Sequence, residues 1–509
     1  MRPVLTISAR QRLSIPVLCS AGAMHILRST KMAKLRPLNC ETRVTMAENK
    51  NCCMASLTER LIDRVKGSFR PLGDGGDRLC RFEVEAEDVC PLGWLSVQRN
   101  DSKIYWSDRE GTFEAGGIGC ADVLIDDGGY TVAEALAKIE KRLSSCDEGT
   151  RYFGSMCFDP RGSGSGQWAG FGRYYFVVPE FELLREAGES SFVFNIVCQS
   201  GDSCETIVGK LLRSLGAIVF EDGAVRQVPV GPAVIKTIRR QDQPDKSQWQ
   251  RNVISAVNDI SRKDIEKVVL ARKVVFEAAE NIDAIELLRE VKNGNLATYS
   301  FCIQPQAESA FIGCSPECLY KTDGNRIYSE AVAGTCPSGA SSQEQQSFRE
   351  SMRQSPKEQS EHQYVFDDVK AGLECVCDEV KVVSERDILS LSYVQHFRST
   401  FAGCVSGDVH TYDMIEALHP TSAVNGFPRD RALNAIGKYE TFSRGCYGGP
   451  VGWIERDSAE FAVGIRSGLV EGKSISLFAG AGIVSASEAE MEWDETENKL
   501  RQFTDVIGG

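Results

Sequence analysis

Two Glu-x-x-Glu pairs stand far apart in this chain: Glu358 and Glu361 in SPKEQSEHQ, and Glu492 and Glu495 in SEAEMEWDETENKL. Spacing of i,i+3 projects both members of a pair from one face of a helix. Four carboxylates converging from two segments suit a hard divalent cation such as Mg2+, which prefers oxygen ligands and leaves positions for substrate oxygens. Two solvated acidic helix faces would give the same spacing. Further chemistry is scattered along the chain. Lys267 opens an apolar run, KVVLAR, where burial would lower the amine's pKa and make it a general base; a solvated strand-end lysine is the plainer reading. Glu317, in FIGCSPECLY, lies between apolar stretches that would raise its pKa and suit it to act as an acid, unless it sits in an exposed turn after Ser315–Pro316. Gly334 and Thr335, in SEAVAGTCPSG, fit a close approach of ligand to backbone or a plain loop. Gly480 and Gly482, in FAGAGIV, fit N–H groups arranged as an anion nest or a glycine-rich hairpin turn. Arg466, in FAVGIRSG, suits bidentate carboxylate binding if it points inward.

These residues need a frame. KVVLARKVVFEA, 267–278, alternates as a strand, and an amphipathic helix over 245–267 precedes it. TYSFCIQPQAESAFIGCSPECLY reads as two strands about a turn. A long polar helix over roughly 341–375 carries the first glutamate pair, and a last helix over about 488–503 carries the second. VGWIERDSAEFAVGIRSGLVEGKSISLFAGAGIV reads as a three-strand antiparallel meander. Upstream, RLCRFEVEAED, KIYWSDREG and GTFEAGGIGCADV read as strands and 130–146 as a helix. Strands and helices mix without strict βαβ alternation, so the fold class expected is α+β with antiparallel sheets. The expected divisions are 1–57, 58–240 and 241–509.

With 509 residues, 42% of them hydrophobic, the chain can build a large core. No apolar run approaches bilayer length, so no membrane span is expected. Residues 1–40 hold seven Lys or Arg and no acid, and without them the total charge of −13 becomes about −20. So acidic a body is ill suited to nucleic acid, which needs a basic stripe. The Arg- and Ser-rich start resembles an organelle transit peptide rather than a secretory signal. The 19 cysteines contain no Cys-x-x-Cys, and they read as reduced core thiols rather than a zinc site.

Taken in order, KVVLAR, F-x-G-x-SPE-x-L, A-x-AGT, SxKExxEH, HPT-x-AV-x-GFPR, YGGPVGW, IRSG, GAGIV and E-x-x-ETxxKL resemble the chorismate-utilising enzymes. Within that family the chain resembles the isochorismate synthases, and among those the plant plastid form. The strong motifs span about 265–505, and 58–240 resembles the same proteins more loosely. The resemblance implies a sandwich of two large antiparallel sheets flanked by helices. It implies that 241–509 is the catalytic, chorismate-binding half, and that 1–57 is a chloroplast transit peptide and linker. It implies Lys267 as the base that activates water against C2 of chorismate, and Glu317 as the acid for the leaving C4 hydroxyl. Mg2+ would be held by Glu361 and Glu495, with Glu358 and Glu492 as supporting carboxylates. Gly334, Thr335, His396, Tyr447, Arg466, Gly480, Gly482 and Lys499 would form the substrate pocket. The implied product feeds salicylate or phylloquinone synthesis, and the implied state is a monomer. Salicylate synthases share Lys267 and Glu317, so they and a non-catalytic chorismate-binding protein are the alternatives. Two departures fall near the pocket: TCPSG replaces a more basic stretch after AGT, and Ser422 stands where many relatives have proline.

Overall fold

Antiparallel pairing organises the chain into two sheets of very different membership. The computed structural model describes residues 52–508, apart from 74–75, 163, 165, 221–234 and 296. The expected transit peptide falls almost wholly on residues outside those described; the helix Cys52–Ser68 begins within the expected linker.

The twelve-stranded sheet begins with Asp77–Glu85, Glu189–Gln199, Phe181–Glu186, Phe113–Ile118 and Lys103–Ser107. It continues through Tyr299–Gln306, Ser309–Ser315, Ser467–Glu471, Ser474–Ile483 and Lys267–Ala278. The outer edge of Lys267–Ala278 is shared by Gly426–Phe427 and Thr237–Gln243. The nine-stranded sheet runs Cys377–Ser390, Val394–Val405, Arg326–Pro337, Cys318–Asp323, Ser458–Val463 and Pro450–Ile454. It ends with Tyr152–Met156, Tyr174–Val178 and Asp122–Ile125. Strands from both parts of the sequence therefore share each sheet.

The alternation expected of half-buried strands is replaced by burial on both faces at the centre of each sheet. Trp106, Phe153, Trp168, Phe301 and Phe311 belong to one core that draws on both sheets. A second core joins the twelve-stranded sheet to helices that include Cys52–Ser68, Ala284–Asn293 and Ala489–Ile507. A third joins the nine-stranded sheet to Val132–Leu143 and Pro356–Val376, among others. This is the α+β sandwich expected, two antiparallel sheets with helices outside. The cysteines from Cys80 to Cys446 are all free thiols.

Several expectations about elements change. The long polar helix is two helices, Ser342–Gln354 and Pro356–Val376. Ser355 ends the first and caps the second, its side chain accepting from the Glu358 N–H, and Pro356 takes the first helical position, where its missing N–H costs nothing. The meander has four strands, and they divide between the sheets. Pro450–Ile454 and Ser458–Val463 join the nine-stranded sheet; Ser467–Glu471 and Ser474–Ile483 join the other. The last helix, Ala489–Ile507, also runs beyond its expected end.

The chain changes sheets at two places that matter for chemistry. Ser309–Ser315 belongs to one sheet and Cys318–Asp323 to the other, so 315–317 is a crossover carrying Glu317. The second crossover, 464–466, carries Arg466, whose φ of 51° is left-handed and strained for a residue with a Cβ. The two are tied together: the Val463 N–H donates to the Glu317 carbonyl at 3.1 Å, and the Cys314 N–H to the Arg466 carbonyl at 3.1 Å.

Candidate active site

A cleft opens beside these crossovers. Its walls include Glu317, Gly334, Thr335, Glu361, His396, Tyr447, Arg466, Gly480 and Lys499. The sequence reading picked all nine. It missed the apolar lining, of which Val269, Val332, Val424 and Phe478 are part. Nothing in the pattern separates those residues from ordinary core.

Lys267 lies just behind this wall. It is wholly buried, and its Nζ is 3.3 Å from Glu361 Oε1. It pairs with Phe427 in the sheet, where Gly426 lies so close that a Cβ there would meet the Lys267 carbonyl at 2.3 Å. Glu317 is also buried, 2% exposed. Burial first, and the Glu330 carboxylate second, push its pKa up to about 8, against the pull of Lys267 and Lys499. At neutral pH it is therefore an acid with a proton to give. The solvated readings of both residues are excluded by burial.

Gly480 and Gly482 do not form a nest, since neither has a positive φ; both lie within the strand Ser474–Ile483. They stand opposite Ala271 and Val269. Val269 gives its N–H to the Asn425 carbonyl and accepts from Arg444, and Ala271 gives its N–H to Glu440, all on the side away from the glycines. These are non-hydrogen-bonded pairs, so the glycine N–H groups also point outward, past the end of Ser467–Glu471. The Gly482 position has a second role. A Cβ there would lie 2.2 Å from Glu361 Oε1 and 3.0 Å from Lys267 Cε. Gly482→Ala should displace Glu361 and Lys267, cost about 1–3 kcal/mol in overpacking, and lower turnover more than its denaturation midpoint suggests. Denaturant melts beside initial rates check this.

Gly334 is a bulge. Pairing with Val394–Val405 shifts between Ala333 and Thr335, and Gly334 has φ 76°. What approaches it is helix backbone: a Cβ would meet the Glu358 carbonyl at 3.0 Å. The bulge aims the Thr335 N–H at Glu358 Oε2, 2.7 Å away.

His396 orients Arg466. Arg466 Nη2 donates to His396 Nε2 at 3.3 Å. Nε2 is then an acceptor, so Nδ1 carries the hydrogen and donates to the Gly334 carbonyl at 3.1 Å, with Thr335 Oγ1 at 3.2 Å. Burial, with Arg466 and Lys499 nearby, holds His396 well below its ordinary pKa and hence neutral. Burial also lowers Arg466 to about 10, still charged at neutral pH. Tyr447 stacks on Phe478, centroids 5.2 Å apart.

The four glutamates sit near the N-terminal ends of two helices, where the helix dipole favours carboxylates. Each is engaged by a lysine. Lys267 faces Glu361; Lys357 Nζ is 2.7 Å from Glu492 Oε1 and 3.8 Å from Glu358 Oε1; Lys499 Nζ is 2.7 Å from Glu495 Oε1 and 2.8 Å from the Gly480 carbonyl. Burial, then Glu361, lift Glu358 to about 7, and burial, then Glu495, lift Glu492 to about 7. Burial would raise Glu495 too, but Lys499 and Lys357 bring it below the ordinary carboxylate range. The donor chemistry therefore fits a hard divalent cation, which would relieve this mutual repulsion. Among the described residues no three His, Cys, Asp or Glu side chains stand close enough to hold an ion. Lys357 was missed from sequence; a lysine inside an acidic helical motif reads as a surface charge.

The two departures resolve differently. Cys336 and Ser338 face Gln395 and the Leu391 carbonyl rather than the cleft. Ser422 donates its N–H to Asp368 Oδ2 at 2.8 Å and its hydroxyl to the Tyr364 carbonyl at 3.2 Å. It thus ties the wall at Ala423–Val424 to the helix bearing Glu358 and Glu361. Proline could not donate the first of these bonds.

Residues 72–508 match the family described as "Chorismate binding enzyme". The chain is 31% identical to isochorismate synthase 2, chloroplastic, of Arabidopsis thaliana over 480 residues, 88% of this chain and 84% of that protein. It is 30% identical to the isochorismate synthase MenF of Bacillus subtilis (strain 168) over 449 residues, 85% of this chain and 94% of that protein. Among solved structures, MenF, the menaquinone-specific isochorismate synthase of Escherichia coli, superposes with a TM-score of 0.77 at 25% identity, covering 89% of this chain and all of that one.

Proposed function

The chain belongs to the chorismate-binding enzyme family, and we propose that it is an isochorismate synthase, an isomerase that converts chorismate to isochorismate. The observation that carries this reading is a buried carboxylic acid and a buried amine within electrostatic reach of each other at one cleft, Glu317 and Lys267. Lys267 takes a proton from water as the water oxygen bonds to C2 of chorismate. Both ring double bonds shift, the C4–O bond breaks, and Glu317 gives its proton so that the leaving hydroxyl departs as water. One water is taken up and one released, so the change is an isomerisation.

Arg466, aimed by His396, holds a substrate carboxylate, with Tyr447 and the outward N–H groups of Gly480 and Gly482 beside it. Gly334, Thr335 and Lys499 complete the wall. Glu361 and Glu495 would hold Mg2+, supported by Glu358 and Glu492. Bound there, Mg2+ supplies the positive charge that lets an anionic substrate enter among four carboxylates. The acid-free residues 1–40 and the chloroplastic relative support import into a plastid, where isochorismate would supply salicylate or phylloquinone synthesis. We take the working unit to be a monomer.

The test is a product assay on the purified chain with chorismate and Mg2+, resolved by chromatography. Isochorismate is the expected product. Salicylate without an added lyase would make the chain a salicylate synthase, and bound but unchanged chorismate would make it a binding protein. Turnover should also fall as the pH rises through about 8, because Glu317 loses the proton it must donate.

A further inference from the structure

An arginine from the N-terminal part of the sequence reaches the crossover that carries Glu317. Arg109 lies just beyond the strand Lys103–Ser107, and its Nη1 donates to the Pro316 carbonyl at 3.2 Å. The same guanidinium forks onto Glu330 in the strand Arg326–Pro337: Nη1 is 2.8 Å from Oε2 and Nη2 is 2.8 Å from Oε1. The Glu330 side chain is wholly buried. It accepts from Tyr328 Oη at 2.5 Å, and Arg398 Nη1 is 3.6 Å away. Two cations and a phenol thus surround its carboxylate. Arg109 also stands over the Tyr299 ring, 5.4 Å from its centroid.

Neither Arg109 nor Glu330 lines the cleft, and a buried ion pair returns little net stability once its desolvation is counted. Its placement has another consequence. The turn 315–317 is held at three points: the Glu317 N–H on Ser315 Oγ at 3.3 Å, the Glu317 carbonyl by Val463, and the Pro316 carbonyl by Arg109. The third hold comes from the N-terminal part of the sequence.

We propose that Arg109 and Glu330 are positioning residues for Glu317: Arg109 fixes the turn through the Pro316 carbonyl, and the buried Glu330 carboxylate anchors Arg109 and presents its charge to Glu317. This rests on reading Glu317 as the general acid. The charges facing Glu317 are Lys267 from Lys267–Ala278, Lys499 from Ala489–Ile507 and Glu330 from its own strand. The two lysines favour loss of the proton, and Glu330 is the charge that opposes them.

Three variants of the full chain, assayed with chorismate and Mg2+, test the pair. Glu330→Gln keeps shape and removes charge. Arg109→Met combined with Glu330→Gln removes the whole buried pair, so that no lone charge unfolds the protein. Arg109→Lys keeps a charge but loses the fork. Removing a negative charge beside Glu317 lowers its pKa, so the alkaline limb of kcat should move down by about one pH unit in the first two variants, with KM changed less than about threefold. Arg109→Lys should lower kcat about tenfold. A folded Glu330→Gln or double variant whose limb stays at the wild-type pH overturns the proposal, leaving the pair a structural one. Glu317→Gln separates the two failures. Full activity in that variant sinks the reading of Glu317 itself; lost activity beside an unmoved limb in the Glu330 variants sinks only the positioning role.

Discussion

Replacing Lys267 by Ala should lower isochorismate formation by about 10²- to 10⁴-fold, the range that a positioned general base contributes. The geometry leaves little to substitute for it. Lys267 is wholly buried at the start of its strand, fixed by pairing with Phe427, and its amine points at Glu361 3.3 Å away. Other lysines near the cleft are engaged elsewhere: Lys499 between Glu495 and the Gly480 carbonyl, Lys357 on Glu492. The substitution also leaves the Glu361 carboxylate without its amine, which destabilises a buried charge. A circular-dichroism melt must therefore accompany the rates, and Lys267→Met, which keeps the side-chain volume, serves as a second variant. If either folded variant retains more than a third of the wild-type kcat, Lys267 is not the base and the proposed chemistry fails at its first step.

Much of the frame was legible because periodicity is a local signal. The strand Lys267–Ala278 was read to its bounds, since twelve residues alternate without a breaker. The glutamate helices were also placed, and the break at Ser355 left the Glu358–Glu361 spacing intact. What periodicity cannot carry is which sheet a strand joins. The four strands between Pro450 and Ile483 read as one meander because nothing in their alternation marks the change of sheet at 464–466. A left-handed φ at Arg466, a non-glycine residue, is a tertiary choice that local propensity does not suggest. The glycines show the same limit from the other side. Gly334, Gly480 and Gly482 were singled out from local pattern, yet the atoms that a Cβ would crowd there, the Glu358 carbonyl, Tyr447 and Glu361, come from elsewhere in the sequence. Pairings between segments far apart in sequence, such as Arg109 with Glu330, left no mark in either local motif.

Exchanging Glu495 for Gln should abolish Mg2+-dependent turnover, while Glu492→Gln should weaken it by about 10- to 100-fold, the usual cost of losing a supporting group. The two residues lie on one helix face, but their partners differ. Glu495 pairs with Lys499, which also holds the Gly480 carbonyl at the cleft wall, and it faces Arg466. Glu492 is fully buried and pairs with Lys357, outside the cleft lining. Glu358 accepts from the Thr335 N–H, whereas Glu361 lines the cleft itself. Glu361, which lines the cleft, and Glu495, whose partner Lys499 lines it, are therefore the pair we expect to act as direct ligands. Gln preserves the shape of Glu495 and removes only its charge, and Lys499 keeps its bond to Gly480, so the fold should survive. Calorimetric titration of Mg2+ into the substrate-free protein gives a readout independent of catalysis. Binding should be lost in Glu495→Gln and weakened in Glu492→Gln. Wild-type Mg2+ affinity in the Glu495 variant, or an equal loss in both, would overturn the division between ligand and support.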